Sequence, residues 1–272
     1  MSTPRRLAFI NEKGGSCKTT LAVNTAAYLA RELGERVLLV DVDPQGQAGK
    51  CVGLDVSNGQ PTLADALLDP RAETLRALCR PTEISNLHVV VSNKRLADLP
   101  VQVASNPQRE TLLRGVVDAV ADGFDYVIFD APPSLGLLST SIMLAARELV
   151  VPVPLTFLAM DGCAEMLDSV DALRARTGHP VEVVLMVPTL YRPTRLADEI
   201  LARLRGHFGS RVAQAVIGYS VKIDEAQSHG KTIWEYAPRS PGAYTLEGLA
   251  KELVRLGKRR GAGQRAGVRA DA

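Results

Sequence analysis

The fold is decided by a stretch of sequence that reads Asn11-Glu12-Lys13-Gly14-Gly15-Ser16-Cys17-Lys18-Thr19-Thr20. It lies between a short apolar run and a segment of helical periodicity, so it is predicted to connect a strand to a helix. A glycine-rich turn in that position aims backbone N–H groups and the helix N-terminus at one point, which makes an anion site. We expect Lys18 to neutralise phosphate charge there and Thr19 to hold Mg²⁺.

The loop is a variant of the common phosphate-loop pattern GxxxxGK[ST]. Cys17 replaces the glycine that precedes the lysine, and the first glycine of the pattern is replaced as well. The chain instead has the form KGGxxKT, with a second lysine at Lys13. We therefore predict a phosphate-binding loop that tolerates a Cβ at Cys17, and control of the site by oxidation of this thiol is an open alternative.

Outward from this loop, short β-rich apolar runs alternate with longer stretches of helical periodicity. The predicted strands are Leu7–Ile10, Arg36–Val40, Leu87–Val91, Tyr126–Phe129, Leu149–Val153, Val181–Val187 and Val212–Ile217. The predicted helices are Lys18–Leu33, Gln108–Asp122, Leu137–Ala146, Cys163–Thr177, Leu196–His207 and Leu246–Leu256. This alternation predicts an α/β fold, with a doubly wound, mostly parallel sheet that is covered by helices on both faces.

Two aspartates follow predicted strands. Asp43 closes the run Val40-Asp41-Val42-Asp43, and Asp130 comes directly after Phe129. In a doubly wound sheet, ligands lie beyond the carboxyl ends of the strands, so we expect both aspartates to converge on the phosphate loop. Asp130 is suited to hold Mg²⁺ through water, and Asp43 to orient an attacking water. A solvated turn residue is the alternative for either aspartate taken alone.

Composition bounds the class of protein. The chain has 272 residues, with 32 Lys+Arg against 30 Asp+Glu and a net charge of +2, which excludes a histone-like basic protein. Its four cysteines form no CxxC pair, which disfavours disulfide scaffolds and zinc ribbons. The sequence has no apolar run long enough for a membrane span or a signal peptide, so we expect a cytoplasmic protein.

The domain organisation is predicted to be simple. Residues 1–256 are expected to form one domain, and residues 257–272 a basic tail that is disordered in isolation, because it lacks an apolar stripe. The tail holds five of the chain's 32 Lys+Arg residues and one of its 30 Asp+Glu residues.

The motifs together resemble the ParA/MinD group of deviant Walker-A P-loop ATPases, and most closely the small ParA (Soj-like) partition type. The resemblance rests on the loop, on Asp41-Val42-Asp43-Pro44-Gln45-Gly46, on Asp130-Ala131-Pro132-Pro133-Ser134-Leu135-Gly136, and on two later stretches, Gly230-Lys231-Thr232-Ile233 and Ala237-Pro238-Arg239-Ser240-Pro241-Gly242-Ala243. It implies the cofactors ATP and Mg²⁺ and a weak intrinsic hydrolysis of ATP to ADP and phosphate.

The resemblance also implies roles for single residues. Lys13 matches the signature lysine that reaches the phosphates of the other subunit, and Asp43 the carboxylate associated with hydrolysis. Thr19 and Asp130 match the Mg²⁺ site. A cation from a partner stabilises charge on the transferring phosphoryl group, which agrees with this assignment. The implied nucleotide-binding residues are Lys13, Gly14, Gly15, Ser16, Cys17, Lys18, Thr19, Thr20, Thr189 and Pro238.

The resemblance further implies an ATP-dependent homodimer that binds double-stranded DNA non-specifically, associates with the nucleoid, and is stimulated by a ParB-like protein. Phosphate contacts of this kind are independent of sequence and sensitive to salt. The matching basic positions are Arg192, Arg195, Arg203, Lys222 and Arg239, each of which has a solvated surface charge as its alternative. Gly218 and Tyr219 depart from the Ile-Pro-Arg-Asn that is common in relatives.

A MinD-like membrane protein is the competing class. It needs a C-terminal amphipathic helix with large apolar residues, whereas the tail has only Val268 as a sizeable aliphatic, so no membrane partner is expected. An iron–sulfur carrier lacks its paired cysteines here. Amidoligases share the loop type, but the sequence offers no substrate site for one.

Overall fold

The structure is a computed structural model that describes residues 3–57 and 59–270, with side chains up to residue 260. The described residues form a seven-stranded sheet in the order β3-β4-β2-β5-β1-β6-β7. All neighbours in it are parallel except β3 and β4. The strands are β1 Arg5–Phe9, β2 Val37–Asp41, β3 Arg80–Pro81, β4 Leu87–Val90, β5 Tyr126–Asp130, β6 Glu148–Pro154 and β7 Glu182–Thr189.

Helices cover both faces of the sheet. In the described part of the chain they are α1 Lys18–Leu33, α2 Gln47–Lys50, α3 Leu63–Leu68, α4 Ala72–Leu78, α5 Leu99–Gln102, α6 Leu112–Val120, α7 Leu137–Ala145, α8 Ala159–Thr177, α9 Arg195–Phe208, α10 Val221–Ser228, α11 Ile233–Tyr236 and α12 Pro241–Ala270. None of the helices described is long and apolar enough to span a bilayer. The predicted α/β fold class is confirmed.

The core consists of two apolar layers, one on each face of the sheet. Alternation along β1 sends Leu7 and Phe9 into one layer and Ala8 into the other, and all three are fully buried. The layer with Leu7 packs against α1 and α12, and the opposite layer against α6, α7 and α8. Helices therefore cover both faces of the central strands, while the ends of these strands are left to the connecting loops.

The predicted strand Val212–Ile217 is wrong. The segment makes only isolated bridges to β7 and its continuation, between Met186 and Val212 and between Tyr191 and Gly218. Backbone hydrogen bonds do link it to β7, since the Ile217 N–H donates to the Pro188 carbonyl at 2.9 Å. Pro188 has no N–H to donate in return, so a continuous ladder cannot form at this edge.

The prediction also lacks strand β3 and the short helices α2–α5, α10 and α11, and the other differences concern the ends of elements. The helix predicted over Gln108–Asp122 begins as a 3₁₀ turn and is α-helical from Leu112 to Val120. The last helix begins earlier than predicted, at Pro241, and it continues to Ala270, where disorder is expected from Gly257 onward. Proline is well suited to the first turn of a helix, and extending an existing helix costs far less than nucleating one.

Candidate nucleotide and magnesium site

The registers of the central strands bring the loop and the aspartates together. Asp41 at the end of β2 pairs with Asp130 at the end of β5, and Phe9 at the end of β1 pairs with the same Asp130. The phosphate loop follows β1, and α1 begins at Lys18. One edge of the sheet therefore carries the glycine-rich turn, the N-terminus of α1 and the two carboxylates.

Asn11 ties the loop to the neighbouring strand. Its buried amide donates a hydrogen bond from Nδ2 to the Pro152 carbonyl at 2.6 Å, and its Oδ1 accepts one from the Lys13 N–H at 2.9 Å. Asn11 has no predicted role in the site. Its positioning role depends on β6, which is distant in the sequence, so no local pattern could have revealed it.

The turn before α1 contains left-handed backbone. Gly15 has φ 69°, and Cys17 has φ 73° and ψ 21°. For Cys17 this conformation is strained, because its Cβ approaches the following carbonyl. The usual glycine at this position would remove that strain. Cys17 therefore lowers the stability of the loop at the point where it departs from the common pattern.

The Cys17 thiol is in an environment that keeps it protonated. Burial, with a smaller effect of the Asp224 charge, raises its pKa to about 11, although Lys18 opposes the shift. A reactive cysteine needs a lowered pKa, because the thiolate is the nucleophile. The environment therefore gives no support to control of the site by oxidation.

Lys18 lies inside the loop. Its side chain is largely buried, and Nζ donates to the Lys13 carbonyl at 3.1 Å. Burial lowers the pKa of Lys18, while the charges of Asp130 and Asp43 oppose this shift. The ammonium group is thus shared between a loop carbonyl and two nearby carboxylates, in the position from which it can meet a phosphate.

Asp130 is a fully buried carboxylate, and within the described residues neither oxygen has a well-formed hydrogen bond. Burial is the largest cause that raises its pKa, and repulsion by Asp41 adds to it, whereas the Thr19 hydroxyl and Lys18 lower it in part. A buried charge without partners is costly. Carboxylate and hydroxyl oxygens are ligands that Mg²⁺ prefers, so Asp130 and Thr19 fit this ion.

Asp41 organises the neighbouring turn. It is fully buried, with Oδ1 accepting from the Asp43 N–H at 3.1 Å and Oδ2 from the Ala48 N–H at 2.9 Å. These bonds fix the half-buried Asp43 at the mouth of the site. No role is predicted for Asp41 from the sequence, although an acidic residue that ends a fully buried apolar strand is itself a signal.

The same turn requires a glycine at its end. Gly46 has φ +61°, and a Cβ on it would lie 2.5 Å from the Ser92 carbonyl oxygen. A side chain there would push the turn away from the sheet. Gly46 therefore helps to hold Asp43 in place.

Lys13 has a different position from Lys18. It is exposed, and its Nζ donates to the Thr156 hydroxyl at 2.9 Å, in the connection from β6 to α8. Phe157 and Leu158 follow Thr156 and are 82% and 56% exposed. The Lys13 ammonium thus lies beside an exposed apolar pair.

The two predicted adenine contacts lie in different surroundings. Thr189 is fully buried, and its hydroxyl donates to the Ser16 carbonyl at 3.3 Å, so it supports the loop from below. Pro238 is exposed, just after α11. The helix α11 just before Pro238 packs on α1, where the Ile233 N–H donates to Asn24 Oδ1 at 2.9 Å. Both adenine contacts stay predictions.

The predicted DNA-facing residues Arg192, Arg195, Arg203, Lys222 and Arg239 are all exposed. The Arg192 guanidinium lies over the ring of Tyr219, 5.4 Å from its centroid. Lys222 is not free, since its Nζ lies 2.7 Å from the Glu225 carboxylate. Arg192 and Tyr219 meet because of the bridge between Tyr191 and Gly218.

Comparison with known proteins agrees with this geometry. A family model described as an AAA domain matches residues 4–183. The chromosome-partitioning ATPase Soj of Thermus thermophilus is 40% identical over 252 residues, covering 92% of this chain and 95% of the relative. The sporulation initiation inhibitor protein Soj of Bacillus subtilis is 36% identical, covering 92% of this chain and 98% of the relative.

A solved structure extends the comparison. Cobyrinic acid a,c-diamide synthase from Mycobacterium smegmatis, with bound ADP and magnesium, aligns with a TM-score of 0.80 and 28% identity over 94% of this chain and 96% of that one. The fold and the loop define a P-loop ATPase. Its relatives define the branch more narrowly: the chain belongs to the ParA/MinD family and is Soj-like. The predicted family is confirmed.

Proposed function

We propose that the chain is a ParA-type partition ATPase that binds ATP with Mg²⁺, forms a dimer around the nucleotides, and hydrolyses ATP slowly. The main support for ATPase activity is the buried Asp130 carboxylate. It lacks a well-formed hydrogen bond among the described residues and adjoins Thr19 and Lys18. A Mg²⁺–phosphate group is the ligand that satisfies an acid, a hydroxyl and an ammonium at one point.

The residues of the site divide the chemistry between them. The loop amides from Gly14 to Thr20 and the Lys18 ammonium bind the phosphates, and Thr19 and Asp130 would hold Mg²⁺, which neutralises phosphate charge when bound. Asp43 would orient the attacking water, and the hydrogen bond from its N–H to Asp41 supports this role because it fixes the backbone there. Positioning and charge stabilisation account for most of phosphoryl-transfer catalysis, so water can displace ADP directly and no covalent enzyme intermediate is needed.

Lys13 supports the dimer part of the proposal. An exposed ammonium beside the exposed Phe157 and Leu158 suits contact with a second copy of the chain. In such a dimer, Lys13 would leave Thr156 and reach the phosphates held by its partner. A ParB-like protein would then stimulate hydrolysis and release the dimer.

The basic residues support the DNA part. Arg192, Arg195, Arg203 and Arg239 are exposed, and dimerisation would double the surface they form. Lys222 contributes less in the free chain, because Glu225 neutralises it. Binding of this kind would place the protein in the cytoplasm, on the nucleoid.

Co-sedimentation with double-stranded DNA, in parallel with vesicles of anionic lipid, tests the proposal. We expect ATP to promote binding of the wild type to DNA and ADP to promote it far less, while Asp43→Ala stays bound in ATP because it does not hydrolyse. Binding to vesicles but not to DNA would instead establish the MinD-like alternative. If every variant binds DNA equally well in ATP and in ADP, DNA binding is not controlled by the nucleotide.

A further inference from the structure

The middle of α12, from Leu253 to Arg260, is held at the edge of the sheet opposite the nucleotide site. Arg5, the first residue of β1, donates from Nη1 to the Leu253 carbonyl at 2.6 Å. Arg260 pairs with Glu182, the first residue of β7. The helix therefore passes the N-terminal ends of the strands, whereas Asp41 and Asp130 lie at their carboxyl ends.

The helix continues beyond the part that the core explains. Among its side chains described up to residue 260, Leu253 is the last fully buried apolar one, and Val254 and Leu256 pack partly against the core. From Gly257 to Ala270 the sequence contains Lys258, Arg259, Arg260, Arg265 and Arg269, no acidic residue, and no apolar side chain larger than Val268. This basic segment, residues 257–270, covers about 20 Å at the helical rise. The structure describes the side chains of Lys258, Arg259 and Arg260, and the ion pair of Arg260 with Glu182 holds this turn of the helix at the N-terminal ends of the strands.

The sheet edge beside the basic segment is also positive. A cavity there has a volume of about 1220 Å³ and is lined by five arginines and four carboxylates. Each carboxylate has an arginine partner, in the pairs Arg5–Glu148, Arg6–Asp118, Arg176–Glu110 and Arg260–Glu182. Arg147, in contrast, is exposed and makes no ion pair with the part of the chain that the structure describes.

The free charges at this edge are therefore cationic. Lys258 and Arg259 are exposed, and like Arg147 they have no acidic partner among the described side chains. The cavity is larger than most small-molecule pockets, which favours an extended ligand. A nucleic-acid backbone fits this pattern, because its phosphate charges repeat along its length and can be bound without contacts to particular bases.

We infer that the basic segment, with Arg147, forms a second nucleic-acid surface that binds the phosphate backbone without ATP. An anionic membrane shares the charge, but stable attachment to it also needs large apolar side chains, and Val268 is the largest in the segment. This surface goes beyond the proposed function, in which binding requires the dimer. It would keep the ADP-bound monomer weakly on DNA after hydrolysis.

The test measures binding of a short labelled DNA duplex in the presence of ADP. The variant carries Lys258→Gln, Arg259→Gln, Arg265→Gln and Arg269→Gln, and it keeps Arg260 because that residue holds the helix on Glu182. We expect wild type to bind the duplex weakly and the affinity of the variant to be at least about tenfold lower at low salt. The slope of log K against log salt should be reduced by about 2–4. Arg147→Gln alone should reduce the slope by about 1.

A matched control removes the same charge elsewhere, at four other exposed positions, with Arg71→Gln, Arg76→Gln, Lys94→Gln and Arg109→Gln. If this control loses as much affinity, the effect is one of net charge and the inference is overturned. It is also overturned if wild type with ADP does not bind the duplex, or prefers anionic vesicles to DNA. ATP-dependent binding of the four-site variant shows that it is folded, and failure of the ATP switch in wild type would count against the proposed function alone.

Discussion

Asp41 and Asp130 are register partners at the ends of β2 and β5, and both carboxylates are fully buried at the same edge of the sheet. Asp41 is satisfied by two backbone N–H groups, whereas Asp130 has no comparable partner within the described residues. The pair therefore combines one carboxylate that holds the structure with one that is left for a cation. This difference gives each a distinct response to pH and Mg²⁺.

The first prediction concerns pH. Burial raises the pKa of Asp41 to about 7, and burial with repulsion by Asp41 raises that of Asp130 well above its usual value. The folded chain therefore retains protons that the unfolded chain has released, so stability in EDTA should fall as pH rises from about 4 to about 7. Thermal unfolding across this range measures the slope.

Asp130→Asn should reduce that slope and raise Tm at neutral pH by about 2–4 °C, which corresponds to about 1 kcal/mol. Added Mg²⁺ should stabilise wild type and leave Asp130→Asn unchanged. Asp122→Asn, at an exposed position, is the control and should behave as wild type. An unchanged slope in Asp130→Asn would show that this carboxylate is ionised alike in both states.

The second prediction separates two roles for Thr189. Its hydroxyl donates to the Ser16 carbonyl, so Thr189→Val should weaken ATP and GTP binding alike, by about fivefold for one neutral hydrogen bond of ~1 kcal/mol. Thr189→Ser keeps the hydroxyl and should restore affinity. Titration of both nucleotides provides the measurement, and a loss confined to ATP would indicate a direct adenine contact instead.

The third prediction concerns Lys13. Lys13→Ala should bind ATP as a monomer nearly as well as wild type, because Lys18 and the loop amides remain, but it should not dimerise in ATP. Light scattering after gel filtration measures the mass. Thr156→Val removes only the hydroxyl that holds Lys13 in the single chain and should still dimerise. Normal dimerisation and hydrolysis by Lys13→Ala would contradict the assignment of Lys13 to the partner's phosphates.

The sequence predicts those features that are local. The loop and the helix Lys18–Leu33 follow from glycines and periodicity in one short stretch, and the structure has that helix with the same bounds. The support of the loop by Asn11 and Thr189 is not predictable in this way, because Pro152 and Ser16 become their partners only after distant strands pair. The failed strand at Val212–Ile217 has the same origin, since its apolar pattern contains no sign that Pro188 would be its neighbour.

The last prediction concerns Cys17 and the strain in the loop. Cys17→Gly should raise the free energy of unfolding by about 0.5–1 kcal/mol, because relief of the left-handed strain exceeds the entropy that glycine loses on folding. ATP binding should remain, and urea unfolding measures the gain.

The same variant decides the redox alternative. Since burial raises the pKa of the Cys17 thiol to about 11, peroxide at neutral pH should leave ATP binding of wild type unchanged. If wild type loses binding and Cys17→Gly does not, the thiol controls the site despite its environment. If both lose binding to the same extent, the sensitivity lies at another residue, and the cysteine in this loop only replaces the usual glycine at a cost in stability.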